Sequence, residues 1–146
     1  MPGKEGLKAA LHAAFDSVVE GGSGYTKVYA AEIRQKNFIV IRTTTVSNFV
    51  VGFKPGSTDL VVVPVDEERG AIKPGAPLVI TDANRASVRR RDFQGRFVVK
   101  TTDGRTFRFT VIPSVPKLLS IAYQFPVEQR EEYEAFEAVR ASLTAA

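Results

Sequence analysis

The sequence predicts a mainly β domain, α+β by content, with antiparallel strands between a helix at each end. Three observations lead there. From residue 25 to 112 the chain reads as seven short runs rich in Val, Ile, Thr, Phe and Tyr, separated by clusters of turn residues. No helical period interrupts these runs, so a parallel sheet with crossover helices is excluded. Both flanks switch to the helical period. At 146 residues the chain has the length of one domain.

The first helix is expected over Lys4 to Glu20. Leu7, Leu11, Phe15 and Val18 recur on one face, with Ala10 and Ala14 beside them. Gly21-Gly22-Ser23-Gly24 stops it, because glycine takes the left-handed cap conformation at little cost. Residues 1–24 therefore read as a helix and a Gly-rich hinge, and the helix can pack on its own sheet or on a second subunit. Residues 25–146 read as one β domain with its C-terminal helix.

Strands are expected at Thr26–Arg34, Asn37–Thr44, Asn48–Phe53, Leu60–Val65, Leu78–Thr81 continued by Ser87–Arg91, Arg96–Thr101 and Arg105–Ile112. Lys54-Pro55-Gly56 and Lys73-Pro74-Gly75 both match a type II turn, with Pro at the second position and Gly at the third. The stretch Asp66 to Ala76 reads as a polar, mobile connection. Lys117 to Tyr123 is apolar enough to be a buried strand or helical turn. From Pro126 to Leu143 a second helix carries Tyr133, Phe136, Val139 and Leu143 in a stripe. Glu128, Glu131 and Glu132 lie near its start and Arg140 near its end, both matching the helix dipole.

Seven antiparallel strands followed by one helix form a sandwich or partly open barrel whose open end the helix plugs. This order resembles the pleckstrin-homology-like (PH-like) superfold, as in plain bacterial PH-like domains, over Tyr25 to Leu143. Eukaryotic PH domains usually carry a Trp in the C-terminal helix, and Phe136 takes that place here. Their phosphoinositide pattern is a Lys near the end of the first strand, then Arg-x-Arg in the second. Lys36 and Arg42 are its counterparts, with Thr44 in place of the second Arg.

Composition restricts the chemistry. Without Cys there is no disulfide, thiolate nucleophile or Cys-based metal site. The single histidine, His12, cannot build a His-rich metal site, and it reads as a surface or half-buried helix residue rather than a catalytic base. The longest uncharged runs have 11 and 10 residues, Thr43–Phe53 and Leu118–Val127. A helical membrane span needs about 20. The N-terminus lacks an apolar signal segment, and Pro2 stands where N-myristoylation requires glycine. The expectation is a cytoplasmic, non-catalytic protein without metal or cofactor.

The net charge of +4 conceals its distribution: residues 25–117 carry +8, while 1–24 carry −1 and 118–146 carry −3. Register decides whether the cations converge. A two-residue Asp103-Gly104 loop would set Lys100 opposite Phe107, mixing charge with rings. A three-residue Thr102-Asp103-Gly104 loop instead sets Val99 opposite Phe107 and Phe97 opposite Phe109, leaving one apolar face. A four-residue loop over Asp92 to Gly95 then sets Val88 opposite Val99. Arg89, Arg91, Arg96, Lys100 and Arg108 share the other face and are the expected binding surface for an acidic protein segment or a phosphorylated ligand. Phe93, at a loop tip, joins Lys36 and Arg42 as a secondary candidate. Nucleic acid is the alternative partner, without aromatic interleaving in its favour. A carboxylate- or cofactor-dependent enzyme and a homo-oligomer built by the N-terminal helix are further readings.

Overall fold

The computed structural model describes residues 4–37, 42–54, 56–69, 71–89, 97–111 and 128–144. In chain order the elements are α1 (Lys4–Val18), a 3-10 turn (Gly22–Gly24), β1 (Thr26–Asn37), β2 (Arg42–Phe53), β3 (Leu60–Glu68), β4 (Ala71–Pro74), β5 (Leu78–Ile80), β6 (Arg85–Arg89), β7 (Phe97–Thr101), β8 (Thr106–Phe109) and α2 (Arg130–Thr144). The fold is α+β and mainly β, with two antiparallel sheets and a helix at each end.

Sheet A runs β1-β2-β3, and β4 and β5 both pair with the far edge of β3. Sheet B runs β6-β7-β8. The eight strands of the described residues thus fill seven ladder positions. Among the described residues the sheets do not close into a barrel. They meet at one bridge, where Ala31 and Thr110 exchange backbone bonds of 3.1 and 2.8 Å.

Sheet A is apolar on both faces, which explains the Leu60-Val61-Val62-Val63 run of β3. Leu60 and Val62 face Val28, Val51, Phe53 and sheet B's Phe97, Val99 and Phe109, closed over by Phe136 and Val139 of α2. The Phe136 ring lies 5.6 Å from both Phe53 and Phe97, edge-on to each. Val61, Val63 and Val65 face the opposite way, with Tyr29, Ala31 and Val50, against Leu11, Ala14 and Phe15 of α1. The N-terminal helix therefore packs on its own sheet. Burying Leu11 and Phe15 stabilises that packing by about 1.5–3 kcal/mol each.

Gly52 makes this packing possible. Its register partners Lys27 and Val61 flank it on the α1 side, and the Phe15 ring fills the space a side chain would take. A Cβ there would lie 2.2 Å from Phe15 Cζ. Lys27, also buried, reaches Asp16 at 3.0 Å and lies 5.7 Å from the Phe15 ring centroid.

The open edge of β1 is satisfied by a side chain. Gln129, just before α2, accepts from the Tyr29 N–H at 2.7 Å and donates to the Tyr29 carbonyl at 2.9 Å. Its amide replaces one rung of a strand. This explains why α2 begins at Arg130 rather than near Pro126: Gln129 is held at the sheet edge.

Several expectations are corrected. Asn37–Thr44 is not one strand, because Asn37 ends β1 and pairs with Arg42 at the start of β2. The expected polar connection holds the end of β3 and all of β4, since ladder bonds use the backbone and tolerate exposed polar side chains. Lys73-Pro74-Gly75 is no type II turn: Lys73 and Pro74 are in β4, and Gly75 has no left-handed φ and bonds the Pro64 carbonyl. The Lys54 turn does form, with Gly56 at φ 81° and a 3.0 Å bond from Ser57 N–H to the Lys54 carbonyl. Leu78–Thr81 and Ser87–Arg91 do not continue one strand. Asn84, bonded to Thr81 N–H at 2.7 Å, turns the chain from sheet A to sheet B. Lys117–Tyr123 lies outside the described residues.

Two substitutions test this architecture. Gly52→Ala should destabilise by about 3 kcal/mol in urea unfolding, and adding Phe15→Leu should recover part of that loss. Gln129→Leu should cost about 2–4 kcal/mol by removing the amide that bonds the buried Tyr29 N–H and carbonyl, without lowering the denaturant slope.

Candidate functional site

Sheet B sets the geometry of the basic face. The pairs are Phe97 with Phe109, Val98 with Arg108, Val99 with Phe107 and Lys100 with Thr106. This is the register of the three-residue loop. Gly104 takes φ 91°, a conformation costly for other residues, and its N–H bonds the Thr101 carbonyl at 3.1 Å. Asp103 braces the loop. It accepts from the Thr101 hydroxyl and, at 3.2 Å, from the Arg105 N–H. Those bonds, the Thr101 one first, hold its carboxyl below the usual carboxylate range.

On the other side of β7, Val88 pairs with Val99 and Arg89 with Val98. Two rungs result on the face away from the core: Arg89, Val98, Arg108, and beside it Ser87, Lys100, Thr106. Lys100 and Arg108 are diagonal neighbours, roughly 8 Å apart in such a ladder. Neither is in an ion pair among the described residues. The face is more sheltered than an open strand surface. Lys100 is exposed, Arg108 is half-buried, and Val98 between the two arginine positions is only 6% exposed.

Other cations of the same basic run are already committed. A register shift between Arg85 and Ser87 brings Arg85 opposite Thr101, on the core face. Its guanidinium donates to the Thr58 carbonyl at 3.0 Å and pairs with Asp82, tying sheet B to sheet A. Arg105 lies 3.4 Å from Asp103. Of the expected surface, Arg89, Lys100 and Arg108 fall on these two rungs, while Arg91, Arg96 and Phe93 lie outside the described residues. Lys36 pairs with Thr43 and Arg42 with Asn37, successive rungs that belong to opposite faces of the β1–β2 ladder.

Sequence reasoning missed a groove of about 480 Å³ where β2 parts from β3, lined by Asn48, Phe49, Pro64, Asp66, Lys73 and Pro74 among others. Asn48 lies at its buried end, accepting from the Tyr29 hydroxyl at 2.5 Å. The groove depends on β4, which reads as loop in the sequence. The pairing of Asp66 with Lys73 across a hairpin was the available signal.

His12 is half-buried at the corner where α1 meets α2. Lys8 of α1 binds Glu132 of α2 at 2.5 Å, and Asp16 binds Lys27 of β1. Burial first, then Lys27 and Lys8, push the imidazole below its ordinary value of 6.5, against the pull of Glu132 and Asp16. Partial burial raises the Glu132 carboxyl, but hydrogen bonds from Lys8 and the backbone, with the Lys8 charge, hold it below 4.5. The described residues contain no group of three or more His, Asp or Glu able to hold a metal, and no helix long and apolar enough to cross a membrane. No protein-family model, curated protein or solved structure matches this chain.

The histidine makes a pH prediction with a definite sign. Its folded-state pKa is depressed, so the unfolded chain takes up the proton first. His12's contribution to stability is complete above pH 6.5 and is lost as pH falls from there through the folded value. Urea midpoints should drop across that window in the natural chain and change less in His12→Gln. Glu132 loses its contribution separately, below pH 4.5.

Proposed function

We propose that this chain is a non-catalytic, cytoplasmic binding module of PH-like architecture whose sheet B face captures an acidic protein segment. Seven ladder positions followed by a helix over the core support the PH-like reading. The observation that carries the function is that Lys100 and Arg108 are diagonal neighbours on the face of sheet B away from the core, with Arg89 at the register position opposite Val98. Like charges at this spacing repel, and Lys100 and Arg108 have no carboxylate partner among the described residues. A half-buried guanidinium is less screened than an exposed one and gains more from an incoming carboxylate.

Nucleic acid is less well supported. Phe97 and Phe109 are buried in the core and Phe107 packs against it, so these rings are not available to stack on bases.

The double variant Lys100→Glu with Arg108→Glu should weaken binding of a fluorescently labelled Glu-rich decapeptide by about tenfold or more at low salt. Anisotropy titration measures this, and an unchanged melting temperature shows that the fold is intact. Undiminished binding would remove the proposal. Tighter binding of a single-stranded oligonucleotide, with affinity falling steeply in salt, would favour nucleic acid instead.

A further inference from the structure

We propose that the acidic segment taken by the sheet B face is the exposed ridge of α2 in a second copy of this chain. This rests on the binding reading above and identifies its partner. The argument is charge complementarity between two described surfaces. Along α2, Glu132 is paired with Lys8, and Glu137 with Arg140. Glu131 and Glu134 remain, both exposed and neither in an ion pair among the described residues; Glu128, also exposed, precedes them.

The spacings agree. Residues three apart on a helix place their Cβ atoms about 5–6 Å from each other. Lys100 and Arg108, as diagonal neighbours, are about 7–8 Å apart. The flexible stems of Lys and Arg cover the difference, so two carboxylates one turn apart can each meet one cation. The end of β3 is a poorer fit. Asp66 and Glu68 share a face, but Lys73 stands directly opposite Asp66 across the β3–β4 ladder and Arg69 follows directly, so cations already flank that pair.

The two patches differ, so the contact is made twice in a two-fold pair or once per junction in a head-to-tail chain. Either arrangement neutralises part of the excess on the strand region, +8 against −3 for residues 118–146.

Light scattering and sedimentation of the full chain, over a range of concentration and salt, test this. The natural chain should associate at low salt and dissociate as salt rises. K100E/R108E alone and E131K/E134K alone should each be monomeric. Mixed together they should form a complex, because each reversed patch meets its reversed counterpart. The neutral E131Q/E134Q should weaken association without reversing charge, and melting temperatures confirm that every variant is folded. A monomeric natural chain overturns the inference, as does association that survives both reversals or is dispersed by D66K/E68K instead. If the natural chain is monomeric yet K100E/R108E loses the Glu-rich peptide, only the identity of the partner fails. If the peptide still binds K100E/R108E, the binding reading itself fails.

Discussion

Sheet A is apolar on both faces, and the rest of the molecule follows from covering them. Val61 and Val63 face one way, Leu60 and Val62 the other, and all four are buried. A sheet of this kind cannot leave one side to water, as most antiparallel sheets do. One side is covered by α1, brought close by the absence of a side chain at Gly52. The other is covered by sheet B and α2, whose Phe136 meets Phe53, Phe97 and Phe109. The result is a layered arrangement in which the sheet, rather than either helix, is the centre of the core.

Two covered faces leave the sheet edges to be managed, because unpaired strand edges invite association with other strands. The β1 edge is filled at Tyr29 by the Gln129 amide and at Ala31 by Thr110. On the opposite side of sheet A, the Asn84 side chain donates to the Val79 carbonyl of β5 at 2.8 Å. In both places an amide side chain stands in for a missing strand. The same residues direct the chain: Gln129 leads into α2, and Asn84 turns from one sheet to the other. Edge protection and topology therefore share their determinants.

The candidate site was legible where burial pattern and turn chemistry agreed. Around Thr102-Asp103-Gly104 only one register placed Phe97, Val99, Phe107 and Phe109 on a common face, and that register is observed. Lys100 and Arg108 follow from it as diagonal neighbours because side chains alternate along strands. The degree of shelter was not legible. Burial of Val98 on a face that reads as solvated depends on what lies over the sheet, and no local pattern encodes it. Lys36 and Arg42 show the reverse case. Their positions suggested a pair, but the rungs they occupy put them on opposite faces.

By itself the sequence determined the class of fold, the two amphipathic helices, the Lys54 turn and the β7–β8 register. These are local quantities, set by periodicity, by glycine at left-handed positions and by which residues can be buried together. Tertiary structure decided the division of Leu78–Arg89 between two sheets, the strand within Asp66–Ala76, the groove beside β4 and the packing of α1 on its own chain. Each of these depends on backbone partners distant in the chain. A backbone amide carries no trace, in its own side chain, of the carbonyl it will meet.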